Sequence, residues 1–327
     1  MKHLLTALLA IALSACAATP ARADASPDLR VVTLNIYHDK AEWPKRLPLI
    51  VEQLRTLDAD VIALQEVLQT AELPNQAQTL GDALGYSVQF VSNDPEGQPH
   101  RYGNALLTRL PVLEQDATPL EPREDSRSMG HARLRFDGRP LDVYFTHLHH
   151  TPEGAALRRR QLEDARVFIQ RQGDTAPSIV LGDFNAFEFN DGYVDAMGTV
   201  TGLPSPDGET AVDNDGAVLV APSLLNMTLE ATAEERYSFV FDYQAQSLDH
   251  VLVNQALVDS PLVVGLDISH ARINADFPEV ARNDANTPTR LSDHDPTVLL
   301  VRLQPATVAD LGITVAAANA DVFAGDT

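Results

Sequence analysis

Cysteine and lysine are scarce in this chain of 327 residues: Cys16 is the one thiol, and Lys2, Lys40 and Lys45 are the lysines. A single cysteine forms no internal disulfide, so the fold must rest on buried apolar surface, which 44% hydrophobic residues can supply. Beyond the N-terminus there is no apolar stretch long enough to cross a membrane. Positive charge is also short, with 24 basic against 46 acidic residues and a formal net charge of −22. Such a surface repels polyanions at long range, and long nucleic acids bind largely through cationic contacts to phosphate. Tight, processive binding to DNA is therefore disfavoured. Hydrolysis of phosphodiesters is not, because divalent cations can neutralise a local cluster of carboxylates.

What the chain does have begins with a targeting pattern. Met1-Lys2-His3 precedes the short apolar run Leu4 to Leu13 and then small residues, the order expected of an export signal. Two processing sites compete. Ala21-Arg22-Ala23 suits an ordinary signal peptidase, with Asp24 as the first mature residue. Leu13-Ser14-Ala15-Cys16 resembles a bacterial lipobox, which would put a lipid anchor to the membrane on Cys16. Either way the expectation is export from a bacterial cell, to a periplasmic or extracellular place or as an outer-membrane lipoprotein. Removing residues 1–23 takes Lys2 and Arg22 with it, so 22 basic against 46 acidic residues would leave −24.

The rest alternates short apolar runs with helical spacing. Leu29 to Asn35 predicts a strand, and Leu47, Ile50, Leu54 and Leu57 predict a helix. Asp60 to Glu66 reads as a second strand ending in polar residues, and Gln76 to Leu84 as a helix stopped by Gly85. Short strands follow near Tyr86–Val91, Tyr102–Thr108, Met129–Phe136 and Leu141–Thr146, the last two joined by an Asp137-Gly138 hairpin turn. Glu153 to Arg171 predicts a helix that buries Leu157, Leu162, Ala165 and Ile169 and carries Arg158-Arg159-Arg160 on a solvated face. Residues 187–236 are rich in Gly, Asp, Pro and Thr and read as a long functional loop, with Ala217 to Val220 its one hint of a strand. Strands return at Tyr237–Phe241, Leu248–Asn254 and Thr297–Leu303, and 305–327 reads as a loosely attached tail. The expected organisation is a signal over 1–23, one catalytic domain over 24–304, and that tail.

The chemistry lies at the ends of the strands. In Ser178-Ile179-Val180-Leu181-Gly182-Asp183-Phe184-Asn185-Ala186, a buried run ends at a glycine, after which a carboxylate and a carboxamide point one way and an aromatic ring the other. Such a pair can be a local Asx turn, or it can grip a cation, a water and a phosphoryl oxygen together. The same ending recurs at Asn35, Glu66, His147, Asp249 with His250, and Asp293 with His294. One such ending is a cap, but six strand ends can converge on one face of a sheet system. A carboxylate closing a buried run, as Glu66 does, needs a partner, and a cation is a natural one.

These segments, in this order, resemble a known family. Leu64-Gln65-Glu66, Tyr102-Gly103-Asn104-Ala105-Leu106-Leu107-Thr108, Thr146-His147-Leu148, Gly182-Asp183-Phe184-Asn185, Leu248-Asp249-His250-Val251-Leu252-Val253 and Ser292-Asp293-His294-Asp295-Pro296 look like the endonuclease/exonuclease/phosphatase, or deoxyribonuclease-I-like, superfamily. The resemblance covers about residues 29–303 and is similar in wording to bacterial secreted nuclease-like members. It implies an α/β fold, a four-layer sandwich of two packed mixed sheets flanked by helices, with the site at one rim. It implies Glu66 as the main ligand of Mg²⁺ or Mn²⁺, helped by Asn35 and Asp293. His294 would meet the reacting phosphate, with Asp249 setting its tautomer. Asp183 would orient or deprotonate the attacking water, while Asn185 and His147 donate to phosphoryl oxygens. Asn104 and Arg127 would bind phosphate.

The expected function is an exported, metal-dependent phosphodiesterase acting as a non-specific endonuclease. The alternative is a lipid or small-molecule phosphoesterase, sphingomyelinase-like or inositol-phosphatase-like. The substrate would be a nucleic acid, or a phospholipid headgroup or small phosphoester, and the protein a monomer. Two departures bear on the choice. Many deoxyribonuclease-like members carry arginine two residues after the metal glutamate, where this chain has Leu68. His149 and His150 are extra to the common motif, and would either add a metal ligand or cap the next helix.

Overall fold

In the computed structural model the described residues are 28–173, 175–186, 224–232, 234–275 and 290–304. The signal segment, the tail, Ala217 to Val220 and most of the long loop lie outside them. In chain order the elements are β1 (Leu29–Asn35), α1 (Trp43–Leu57), β2 (Val61–Gln69), α2 (Gln76–Leu84), β3 (Ser87–Ser92), β4 (Arg101–Thr108) and β5 (Val112–Pro119). Next come β6 (Ser128–Phe136), β7 (Arg139–His147), α3 (Ala155–Gln172), β8 (Ser178–Asp183), β9 (Leu225–Asn226), β10 (Phe239–Phe241) and β11 (Gln244–Gln246). β12 (Asp249–Val253), the single-turn helix α4 (Gln255–Val258), β13 (Val263–His270) and β14 (Thr297–Leu303) complete them.

Two six-stranded mixed sheets form, ordered β13-β14-β1-β2-β4-β3 and β5-β6-β7-β8-β12-β9, with β10 and β11 as a separate hairpin. Each sheet has one parallel pair at its centre, β1 with β2 and β7 with β8, and antiparallel partners elsewhere. Parallel neighbours need a long crossover, and the chain supplies α1 for the first pair and α3 for the second. The central strands read as continuous apolar runs because both their faces are covered. On β1, Val31 joins the core between the sheets with Leu299, Phe145 and Leu181, while Val32 turns outward onto Ile50 and Leu54 of α1. On β8, Leu181 faces inward and Val180 packs on Leu162 and Phe168 of α3. Burying each such side chain stabilises the fold by about 1.5–3 kcal/mol. The result is the four-layer sandwich expected: helices, sheet, sheet, helix.

Local chemistry sets several boundaries. Gly85 ends α2 at a φ of 78°, the left-handed position that glycine tolerates. Asp137 and Gly138 both take positive φ (46° and 75°), as a tight type I′ hairpin requires. Gly182 has a φ of 148° and lies so close to the backbone of Thr146 on β7 that a Cβ would collide with it.

The structure corrects three expectations. Glu66 does not end its strand: β2 runs on to Gln69, and its register with β4 slips between Leu64 and Val67. Gln65 and Glu66 form a bulge there, with Glu66 at a φ of 59°. α3 buries Leu162, Ala165 and Ile169 as expected, but Leu157 is only half-buried and Arg158, expected on the solvated face, is buried in its place. The Arg158 guanidinium donates to the carbonyls of His149, Thr151 and Pro152 and thereby ties the loop before the helix. Finally, β5, β9, β11 and β13 were not expected. β5 and β13 are long edge strands: β5 is mostly exposed and lacks an apolar pattern, while β13 is mostly half-buried, with Val263, Leu266 and Ile268 against the core.

Candidate functional site

The two parallel pairs deliver their side chains to the same rim. β7 and β8 end in register at His147 opposite Asp183, and His147 Nε2 lies 3.4 Å from Asp183 Oδ2. β1 ends at Asn35, whose amide donates to that same Oδ2 across the sandwich at 3.1 Å. Asp183 Oδ1 accepts from the backbone N–H of Asn185, held at a φ of 47°. The Asn185 side chain donates back to the Leu148 carbonyl.

His294 enters from the turn before β14. Its Nδ1 is 2.6 Å from Asp249 Oδ2 and its Nε2 is 3.8 Å from Asp183 Oδ2. Asp249, the first residue of β12, is paired with Asp183 in the ladder and also accepts from the Ser238 hydroxyl at 2.6 Å. The carbonyl of His294 takes a bond from Asn274, and the Phe239 ring lies 4.7 Å from its imidazole. Next in sequence, the Asp295 carboxylate accepts from the backbone N–H groups of Ile273, Asn274 and Ala275 and pairs with Arg272. His294 is thus held from three sides.

Glu66 and Asp293 sit at the other end of the cluster. Glu66 Oε2 is shielded from solvent with no hydrogen-bond donor, and His38 Nε2 is 3.8 Å away. Burial and the Asp293 carboxylate push the Glu66 pKa up, against smaller opposing effects of His38 and Asn35. A shielded carboxylate oxygen facing a second carboxylate, in an oxygen-rich surround, fits a hard cation. Asp183, Asp249 and His294 also present ligand atoms within 4.8 Å of one another and could hold a metal. Asp249 Oδ2 is already taken by Ser238 and His294, whereas its Oδ1, like Glu66 Oε2, is buried without a partner.

Environment separates the titrating groups. Burial and the neighbouring Asp249 raise Asp183 to about 7. Burial pulls His294 down, but Asp249 and then Asp183 and Asp293 overcome it and raise the imidazole to about 10. His147 moves the other way, well below the usual value, through burial and then the Arg127 charge.

The rim opens into a cleft of about 1060 Å³ lined by Asn35, Glu66, His147, Asp183, Asn185, Asp293 and His294 from the expected set. Asp249 stands behind His294. Asn104 faces the bulge in β2 and donates to the Ser128 carbonyl, joining the two sheets. Arg127 is buried beside Asp125, with one nitrogen 3.5 Å from His150 and two others without hydrogen-bond partners. His149 caps no helix, since the N-terminus of α3 has no side-chain cap. It bonds Asp125 and Thr151, while His150 reaches the cleft wall. Leu68 is buried under α2, its N–H held by Gln76.

Sequence reasoning missed Ser238, Asn274, Phe239 and His38. Ser238 and Asn274 act through partners distant in sequence, so composition carried no sign of them. Phe239 lay within an expected strand, and only its neighbour His294 gives it meaning.

A sandwich of two mixed sheets, with carboxylates and imidazoles gathered at one rim, defines the class of fold in which phosphoester hydrolases are built. The chain belongs to the Endonuclease/Exonuclease/phosphatase family, whose sequence model matches residues 32–294. YbhP of Escherichia coli (strain K12) is 26% identical over 173 residues, which is 48% of this chain and 66% of YbhP. The match therefore spans just under two thirds of that relative. Among solved structures, D. rerio TDP2 complexed with single-strand DNA product is similar with a TM-score of 0.59 at 18% identity, over 84% of this chain and 98% of that one. ANGEL2, a 2′,3′-cyclic phosphatase, in complex with adenosine-2′,3′-vanadate gives a TM-score of 0.60 at 17% identity, over 85% and 96%. At such identities the structural likeness establishes the fold.

Proposed function

We propose that the chain is an exported phosphodiester hydrolase dependent on a divalent cation, Mg²⁺ or Mn²⁺, and that its substrates are nucleic acids cut without sequence preference. The observation that carries the reading is geometric: His147 and His294 both aim Nε2 at one buried Asp183 oxygen, beside a Glu66 oxygen that has no donor. Glu66 with Asp293 and Asn35 would hold the cation, which when bound neutralises phosphate charge and lowers the pKa of water. Asp183 orients a water and accepts its proton, helped by a carboxyl group poised near neutral pH. His294, fixed by Asp249 through Nδ1, presents Nε2–H to a phosphoryl or leaving oxygen. The neutral His147 adds a second donor, and Asn185 a third, where negative charge grows in the transition state.

A second reading, hydrolysis of a phospholipid headgroup or small phosphoester, is favoured by one specific feature. Among the described residues that line the cleft there is no lysine or arginine. Plasmid DNA and sphingomyelin, each incubated with the protein and Mg²⁺ or EDTA, separate the two. The expected result is relaxed and then fragmented plasmid, abolished by EDTA. Intact plasmid with released phosphocholine would remove the nuclease reading. Export is tested by the mass of the protein recovered from cells: a start at Asp24 marks free secretion, and a lipidated Cys16 marks an anchor.

A further inference from the structure

The β10–β11 hairpin stands over the cleft and has no part in the chemistry described. Phe239 and Phe241, two residues apart on one strand, face the same side, with their rings 6.4 Å apart and parallel to within 7°. The inner ring leans on the His294 imidazole at 4.7 Å, and both rings line the cleft. The outer ring is an anomaly: Phe241 is 56% exposed although it lies at a site entrance rather than in the core. The turn beyond it is strained, because Asp242 and Tyr243 both hold positive φ (48° and 62°) where Asn-Gly would be at ease. Strain of this kind persists where a function over-determines it.

We propose that Phe239 and Phe241 form a stacking platform for a nucleobase next to the scissile phosphodiester. Two stacked parallel rings extend naturally to a third planar ring such as a base; a cage around a quaternary ammonium group needs rings set at angles to one another. The Gln244 and Asp242 side chains at the same edge offer a base polar partners. The inference rests on the phosphodiesterase reading above, and deepens it.

The test compares thymidylyl-(3′→5′)-thymidine with its abasic counterpart, which has the same backbone and charge. Wild type is expected to hydrolyse both, with a KM about tenfold lower for the dinucleotide, within the range of one base stacked on an aromatic ring. Phe241→Ala should raise the dinucleotide KM to about the abasic value and leave the abasic dimer unchanged, and Phe241→Trp should restore the difference. In parallel, calorimetric titration with thymidine 5′-monophosphate and with deoxyribose 5-phosphate reads base binding without turnover. A base preference in binding without hydrolysis of either dimer sinks the hydrolase reading and keeps the platform. Hydrolysis of both dimers with equal KM, unmoved by Phe241→Ala, sinks the platform alone. So does co-sedimentation of the protein with sphingomyelin–phosphatidylcholine vesicles that Phe241→Ala abolishes, since the rings would then serve a lipid surface.

Discussion

The two β-α-β units at the centre of the molecule, β1–α1–β2 and β7–α3–β8, are built alike and end differently. In the second, the strand ends face each other in register, and His147 meets Asp183 directly. Every oxygen of Asp183 has a donor. In the first, Asn35 pairs with Gln65 and the carboxylate comes one residue later, from a bulge, with an oxygen that nothing in the protein satisfies. One of the Asp183 donors is Asn35 of the first unit, so the Asp183 carboxylate is satisfied only where the two units meet. The first unit leaves a buried Glu66 oxygen without a donor. The lesson is that two units of like build can end in unlike electrostatics, and on the function proposed here the satisfied end handles protons and the unsatisfied end takes a cation.

Deleting the preorganised side should have the largest effect. His294→Ala is expected to lower kcat on the order of a thousandfold, within the range for positioned acid–base groups, with an unchanged circular dichroism spectrum. Turnover equal to wild type would end the role given to His294. Glu66→Gln should cost on the order of a hundredfold in kcat/KM, a few kcal/mol of lost charge stabilisation. It also separates the two units in a binding assay. A cation at about 100 times its Kd should stabilise wild type by about 2.7 kcal/mol, and the Tm of Glu66→Gln should not respond. Without added cation the variant should melt above wild type, because the repulsion from Asp293 is gone.

Smaller effects probe what lies behind. Ser238→Ala removes one hydrogen bond from Asp249, worth about 1 kcal/mol, so kcat should fall about five- to tenfold with KM unmoved. A rise in KM alone would place Ser238 in substrate binding instead. The smallest effect is a control outside both units. Both ring nitrogens of His270 on β13 are shielded and unpartnered, and burial with the nearby Arg272 lowers its pKa to about 4. The neutral form is the one that fits, so its stabilisation is complete above about 6.5 and is lost as pH falls toward 4. His270→Leu should flatten the decline in Tm between pH 7 and pH 5, with activity untouched.

Much of the architecture was legible because burial repeats at short range. Val31 and Val32, or Val180 and Leu181, alternate between inter-sheet core and helix layer, and a run apolar on both faces marks a central strand. The edge strands β5 and β13 escaped because half-exposed positions accept polar residues. Arg158 escaped for the opposite reason. A guanidinium is buried only when carbonyls converge on it, and those of His149, Thr151 and Pro152 come from a loop, not from the helix.

From the chain alone came most of the strands and helices and the inventory of strand-end groups, since periodicity and residue type are local properties, while the two-sheet sandwich followed from the resemblance of those segments to a known family. Tertiary structure alone decided which of those groups touch. Asn35 and Asp183 are 148 residues apart, yet they share one hydrogen bond, and Ser238, Asp249 and His294 form a line only once three separate segments have docked. The bulge that lifts Glu66 to the rim, and the hairpin that carries Phe241 over it, are likewise outcomes of strand register and packing, because backbone geometry is settled by the partner across the ladder.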